Sequence, residues 1–329
     1  LSITLERRLL MEGNIPEKMR QRNLDLVLQL LSQQGPLSAK ALAAATGLSV
    51  VSIHKLIDQL QTRDLLREEP QLVKTRGRSA RLFAVNQTAY ALLSVRLFEG
   101  AAGQMLAKME VIDLAGTRAT ALVTQPVTTP AALIAQLQTL VQQASQPPRV
   151  VVIGLPGVSV AQRLQVTDVA GWQQVQLASL VEQALHLPVQ VINDVNAVTY
   201  GGVGRVDPQA SAIGLYYPQQ FGPGVGIVHA GTIITGAHGL AGEIASSPAY
   251  QQATYPLADL PTRITQDVQT LVSLLDPAYV FLYLPQHTVT LPQLVLTAQV
   301  QTAREFDDDY CYGLLRLGRQ MVYQAVLAQ

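Results

Sequence analysis

The stretch Ser38-Ala39-Lys40-Ala41-Leu42-Ala43-Ala44-Ala45-Thr46-Gly47-Leu48-Ser49-Val50-Val51-Ser52-Ile53-His54-Lys55-Leu56-Ile57 decides how the N-terminal part of the chain folds. A serine ahead of an alanine-rich run is a helix start, because its hydroxyl accepts from a backbone N–H that has no partner inside the helix. This predicts a short helix from Ala39 to Thr46. Gly47 ends it, since the left-handed conformation that closes a helix is easiest for glycine. Ser49 opens a second helix, about Val50 to Thr62, with Ile53, Leu56, Ile57 and Leu60 on its inner face. Upstream, Leu24, Leu26, Val27, Leu28, Leu30 and Leu31 form an apolar stripe on a helix from about Lys18 to Gln33, which Gly35-Pro36 stops. Downstream, Leu65-Leu66-Arg67 and Arg81-Leu82-Phe83-Ala84-Val85 read as short strands around a polar, arginine-rich loop, Lys74 to Ser79.

Helices with a tight glycine turn before the last, followed by a basic hairpin, predict a winged helix-turn-helix over residues 1–86. In such a unit the last helix lies in the major groove of DNA. The polar residues near its start, Ser49, Ser52, His54 and Lys55, are the candidate groove contacts. The hairpin tip supplies Lys74, Arg76, Gly77 and Arg78, with glycine letting the backbone approach a phosphate or a narrow minor groove. The competing reading is a helical protein-interaction module with a charged loop. Basic residues gathered at one hairpin tip favour double-stranded DNA, whose grooves reward such charge.

Charge supports the same division. The 329-residue chain carries 23 basic and 23 acidic side chains, so its formal net charge is zero. Residues 1–85 hold 13 basic and 8 acidic ones and are therefore +5, which leaves the remainder at −5. A basic head on an acidic body is what one polyanion-binding part produces. With 48% hydrophobic and 14% charged residues the chain can build real cores. A single cysteine, Cys311, excludes an internal disulfide framework and a multi-cysteine metal site. No apolar run approaches the ~20 residues of a membrane helix, and no leader peptide opens the sequence. A soluble, cytoplasmic protein is the expectation.

From about Gln87 the chain alternates strand-like and helix-like stretches, which predicts an α/β body with mixed sheets. Ala91–Phe98 and Met105–Asp113 read as paired strands, and Pro130–Ala144 as an amphipathic helix closed by Pro147-Pro148. Val150–Gly154 is a buried strand, followed by a helix over Leu177–Leu185, a strand over Val189–Asn193 and a helix beginning near Ala197. Ile213–Tyr217 and Val225–His229 are strands of a second half, with helices over Thr262–Leu275 and Arg304–Ala328. The repeated order suggests two similar halves, about 87–205 and 206–329, without repetition at the residue level.

Several stretches of this body resemble the ROK family (repressor, open reading frame, kinase), and the winged head resembles its regulator branch. Gly154-Leu155-Pro156-Gly157-Val158-Ser159 is similar to the family's "GxPGxVD" loop, and Val191-Ile192-Asn193-Asp194-Val195-Asn196-Ala197 to its "ENDANA". Gly224-Val225-Gly226-Ile227-Val228-His229-Ala230-Gly231 and Gly236-Ala237-His238-Gly239-Leu240-Ala241-Gly242-Glu243-Ile244 resemble its glycine-rich phosphate turn and "GANGxAGEIGH". In the head, Gly35-Pro36-Leu37-Ser38, Thr46-Gly47-Leu48-Ser49 and Gly77-Arg78-Ser79 resemble regulator phrasing. The matches follow the family's order over most of the chain. The resemblance implies a two-lobed, actin-like (ribonuclease H-like) ATPase-type fold with a sugar in the cleft. It places Gly157, Asn193, Asp194 and Glu243 as the ligand-binding residues. Read from the residues alone, Asp194-Val195-Asn196 is also an ordinary helix cap.

The departures from the family pattern point away from catalysis. Where family kinases begin the body with "DxGGT", this chain has Ser94-Val95-Arg96-Leu97-Phe98-Glu99-Gly100, with Arg96 near the position of the acid. Phosphoryl transfer depends on placing metal and phosphate, and those parts are missing here. Pro223 removes an N–H from the second phosphate turn. The family's zinc cluster is absent as well: Ala245-Ser246 stands where Gly-His is usual, with no cysteine nearby. The expectation is a non-enzyme with no cofactor and no metal: a regulator, a repressor of carbohydrate-related genes. Its partners would be a duplex operator, a sugar or sugar-phosphate effector, and its own copy in a homodimer or dimer of dimers. Two alternatives remain open: an ATP-dependent sugar kinase with a DNA-binding head and Asp194 as general base, and a ligand-free regulator whose body only dimerises.

Overall fold

The structure is a computed structural model that describes residues 15–69, 81–100, 103–160, 163–167, 171–218, 222–246, 250, 260–284, 298–302 and 304–328. The chain divides into two compact units, Leu1–Ala89 with Tyr323–Gln329, and Tyr90–Val322.

In the first unit, helix α1 (Ile15–Gln34) buries Leu24, Val27, Leu28 and Leu31, the apolar stripe read from the sequence. Gly35, at φ +78°, turns the chain into the short strand β1 (Leu37–Ser38). Helix α2 (Ala39–Thr46) is capped by Ser38, whose hydroxyl accepts from the Ala41 amide at 3.1 Å. Gly47, left-handed at φ +72°, donates its N–H to Ala43 and closes it. Helix α3 (Val50–Thr62) follows after a bend of 113° between the two helices. Ile53, Leu56, Ile57 and Leu60 point inward and are buried, as their spacing requires. Strands β2 (Leu66–Glu69) and β3 (Leu82–Val85) pair antiparallel, and β1 adds to the free side of β3. The expected wing residues Lys74, Arg76, Gly77 and Arg78 lie outside the described residues.

The second unit contains two five-stranded mixed sheets with the same topology. In the first, β4 (Ala91–Glu99), β5 (Met105–Asp113) and β6 (Val123–Pro126) form an antiparallel meander. Helix α4 (Pro130–Gln143) then crosses to β7 (Pro148–Leu155), which lies parallel to β4. Beyond β7 a small antiparallel hairpin, β8 (Gly157–Val160) and β9 (Arg163–Thr167), stands apart from the sheet. Helix α5 (Leu177–Leu185) leads to β10 (Val189–Asn193), parallel to β7. The strand order is β10-β7-β4-β5-β6.

Helix α6 (Asp194–Val206) carries the chain into the second sheet, which repeats the scheme. A meander of β11 (Ala212–Tyr216), β12 (Gly224–His229) and β13 (Thr232–Ile233) precedes helix α7 (Leu260–Leu275). Strands β14 (Tyr279–Tyr283) and β15 (Gln299–Gln301) then add in parallel, giving β13-β12-β11-β14-β15. Each sheet therefore has a three-strand meander whose first strand borders two parallel crossover strands. The long helix α8 (Phe306–Leu327) ends the chain.

The core positions are those of buried strands. Leu93, Val95, Val151 and Ile153 are fully covered in the first sheet, and Ile213, Leu215, Val280 and Leu282 in the second. Helices α6 and α8 approach closely because Gly201 faces the backbone carbonyl of Asp309, and Gly313 faces that of Ala197. Any Cβ at either glycine would collide with main chain, which cannot retreat.

Two local expectations change. Helix α6 begins at Asp194, three residues earlier than Ala197, because Asn193 caps it. Pro148 is the first residue of β7 rather than part of a helix stop, a position where proline's missing N–H is tolerated.

Candidate functional site

In the first unit the outward face of α3 carries Val51, His54, Lys55 and Asp58, spaced as one helical stripe, all exposed. Val50, beside Val51 in the first turn, is also exposed. The two serines expected to meet DNA are engaged locally. Ser49 Oγ accepts from the Ser52 amide at 3.1 Å and lies 2.9 Å from Ser52 Oγ, so the hydroxyls bond each other over the first turn. His54 and Lys55 have no polar partner among the described residues. On the β-sheet side Arg67 pairs with Glu69 at 2.8 Å and Arg81 with Glu68 at 3.1 Å, both exposed. Among the described residues, Arg67 and Arg81 on the sheet are thus paired with carboxylates, whereas Lys55 on α3 is not.

In the second unit the carboxyl ends of the parallel strands β7 and β10 lie side by side, with Asn193 opposite Leu155 in register. Ligand sites of open α/β sheets sit at such strand ends. Asn193 joins them: its Nδ2 donates to the Gly157 carbonyl at 3.2 Å, and its Oδ1 accepts from the Asn196 amide at 2.9 Å. Gly157 adopts φ +143°, a conformation that a side chain would strain. Asp194 is 9% exposed, and its Oδ1 accepts from the Val195 amide at 2.8 Å. Glu243 reaches this region through the backbone. Gly242, at φ +91°, sits directly over the Val225 carbonyl and accepts from the Val225 amide at 3.0 Å. Gly224, one residue before Val225, packs on the Val195 side chain in the first turn of α6. The structure thus brings Gly157, Asn193 and Asp194 together at one sheet end. Glu243 follows the segment that β12 anchors against α6.

Aromatic side chains line the same place, and nothing in the sequence patterning marked them. Tyr216, at the end of β11, has its phenol pushed up to about 12, by burial first and then by the charges of Asp194 and Glu99. The Tyr216 ring packs on Phe306 at a tilt of 38° with centroids 4.5 Å apart, and Phe306 meets Tyr310 edge-on at 5.7 Å. Tyr310 is buried, its hydroxyl pressed against Gly154 and without a hydrogen-bond partner among the described residues. Burial, then Asp194, raises its pKa well above that of a free phenol. Asn196 Oδ1 is likewise buried without a partner among the described residues. These groups come from the strand ends and the start of α8, far apart in sequence.

Arg96 has a definite role. It is buried, and its guanidinium bonds Glu110 at 2.8 Å and Asp307 at 2.9 Å. Lys108 shares Asp307 at 2.9 Å, and Arg118 takes the other Glu110 oxygen at 2.6 Å. A cation enclosed by carboxylates from β5 and α8 thus stands near the place where the family resemblance expects an acid. Ala245 and Ser246 form a short 3-10 turn, with Ser246 Oγ donating to Glu243 O at 2.7 Å, and the one cysteine, Cys311, lies beside Glu110. His229 is exposed with its Nδ1 3.0 Å from Ser211 Oγ. Among the described residues no three His, Cys, Asp or Glu side chains gather in a way that could hold a metal ion.

The architecture is an α/β fold with mixed sheets of the actin-like ATPase type, similar to structures of ROK proteins. The model of the ROK family matches residues 101–253 of the chain. No curated protein matches the chain in sequence. Among solved structures it is similar to a ROK family transcriptional regulator, a homologue of the E. coli MLC protein. That likeness has 18% identity and a TM-score of 0.71, over 94% of this chain and 98% of the other. It is also similar to a ROK family glucokinase from Streptomyces griseus in complex with glucose and AMPPNP, at 17% identity and TM-score 0.51 over 70% and 99%. A ROK family protein from Streptococcus pneumoniae in complex with sucrose aligns at 15% identity and TM-score 0.52 over 71% and 99%. Among the described residues no single helix is long and apolar enough to cross a membrane.

Proposed function

We propose that the protein is a DNA-binding transcriptional regulator, a repressor of carbohydrate-related genes, whose ROK body is not a kinase. Residues 1–86 act as a winged helix-turn-helix and residues 87–329 as a homodimerising, effector-binding body. The observation that carries this reading is the first unit itself: α2 and α3 meet at 113°, within the ~90–120° of a helix-turn-helix, beside an antiparallel sheet. The likeness to the regulator spans 94% of the chain and so takes in most of that unit, whereas the likeness to the glucokinase covers 70%. Both facts support a DNA-reading head.

Arg96 supports the non-catalytic half of the reading. Transferring a phosphoryl group needs metal and phosphate held in line, and a buried arginine bound by two carboxylates offers neither an acid nor a free cation there. The body instead senses. Its cleft end presents Asp194, Gly157 and Glu243 toward a sugar or sugar phosphate, whose hydroxyls donate to carboxylates. Binding favours one closure of the two lobes, and in a dimer that closure alters the spacing of the heads. Operator half-sites sit about 34 Å apart or at a multiple, so a changed spacing weakens binding. No zinc or nucleotide takes part, and the setting is the cytoplasm, where the operator is.

The test is salt-titrated binding of the full chain to duplexes enriched from a random-sequence pool, repeated with Arg78→Ala. Loss of about 1–3 kcal/mol is expected if Arg78 reads a base, or a salt slope reduced by about one if it touches phosphate. No enriched duplex at any salt overturns the reading. Turnover of a hexose and ATP that vanishes in Asp194→Asn would replace it by the kinase.

One observation favours a second reading, a body that only dimerises: both polar ends of Asn193 are bonded to backbone. Thermal shift against sugars and sugar phosphates decides between the two. Stabilisation that Asp194→Ala abolishes means a sensor, and a flat panel means a scaffold.

A further inference from the structure

The exposed start of α3 has a chemistry that the fold does not use. Val50 is 43% and Val51 68% exposed, two β-branched residues in the first turn of a helix, facing water. Such residues lose rotamer freedom in a helix, and here no burial offsets that loss. The hydroxyls on either side bond each other, Ser49 with Ser52, which leaves one O–H between them for a partner. Along the same stripe His54 and Lys55 come next and have no partner among the described residues, nor has Lys40 on α2. Asp58 follows one turn later. The stripe is therefore apolar at its start, basic in the middle and acidic at its far end. Phosphates repel Asp58 and attract Lys55 and Lys40, so a polyanion approaches by the first two turns of α3.

We infer that Val51 is a specificity-determining residue that reads the 5-methyl group of a thymine in the major groove of duplex DNA. The inference rests on the DNA-binding reading above. In the major groove each base pair shows hydrogen-bond donors and acceptors, and thymine alone adds a methyl. A valine has neither donor nor acceptor. Pressed against guanine or cytosine edges it strips water from polar atoms and returns nothing, whereas against thymine it covers the one apolar group present. The basic residues next in the stripe hold the turn against the phosphates on either side, which fixes Val51 in register with one base pair.

The experiment uses the full chain and the duplexes enriched from a random pool, with each thymine replaced singly by deoxyuridine, which lacks only the methyl. One thymine in each half-site is expected to show a loss of about fourfold in affinity, the effect of burying a single methyl-sized group. In Val51→Ala that sensitivity should fall to within about twofold, while the salt slope, set by phosphate contacts, stays the same. The deoxyuridine scan on the unaltered protein does not depend on any variant folding. Equal binding of every deoxyuridine duplex, or an undiminished methyl effect in Val51→Ala, overturns the inference and leaves the DNA-binding reading standing. No enriched duplex overturns both.

Discussion

Ser49 and Asn193 do the same local task in opposite surroundings. Each stands one residue before a helix and accepts, through a side-chain oxygen, the amide three residues on, at 3.1 Å for Ser52 and 2.9 Å for Asn196. At α3 that first turn is exposed and carries valines, a histidine and a lysine. At α6 every residue from Asp194 to Val203 is buried, pressed by β12, by α8 and by the glycines that let them close in. One helix start is a presenting surface, and the other is a structural pivot between two sheets. The difference teaches that a cap motif specifies where a helix begins and says nothing about whether a partner will meet it.

If the body is a pivot built from buried polar groups, altering it should cost folding stability, whereas altering the face of α3 should cost almost none. The largest expected effect is at Arg96. Arg96→Met removes the buried partner of Glu110 and leaves Asp307 with Lys108 alone, and breaking a buried pair such as Arg96–Glu110 costs about 3–5 kcal/mol. Urea unfolding checks it, and a loss under about 1 kcal/mol would mean that Arg118 and Lys108 suffice for the network. Next is Gly201→Ala on α6, where the added methyl meets the Asp309 carbonyl and should cost about 1–3 kcal/mol or more. An unchanged melting temperature would show that the α6–α8 crossing is loose.

The two caps come next and test the comparison directly. Asn193→Ala removes a cap and a second bond to Gly157, about 2 kcal/mol together, against about 1 kcal/mol for Ser49→Ala. Equal losses in the same denaturation series would erase the distinction between pivot and presenting surface. The smallest effect is Val51→Ala, whose stability change should stay within about 0.5 kcal/mol because the side chain is exposed. A larger loss would mean that Val51 supports the fold.

Much of the first unit was legible because its signals are local. Ser38, Gly47 and Ser49 mark helix boundaries by conformation and capping, and the spacing of Ile53, Leu56, Ile57 and Leu60 shows which face turns inward. The bond between the Ser49 and Ser52 hydroxyls was not legible. Their type and position suit a groove contact equally well, and only the geometry between them shows the hydroxyls bonded to each other. In the body, the strands Ala91–Glu99 and Met105–Asp113 follow from their apolar runs, but Tyr279–Tyr283, a central strand of the second sheet, went unread. Five consecutive apolar residues do not distinguish a strand from part of a buried helix.

By itself, then, the sequence determined which segments are helices and strands near clear caps and stops, the excess of basic charge in the head, and the alternating order of an α/β body. Those properties depend on residues a few positions apart. Only the tertiary structure decided that the two sheets repeat one topology without repeating residues. It also decided that Tyr216 and Tyr310 stand by Asp194 and that Arg96 is held by Glu110 and Asp307. A buried charge takes its meaning from its partners, and one partner of Arg96 comes from the other end of the chain, where no local pattern connects the two.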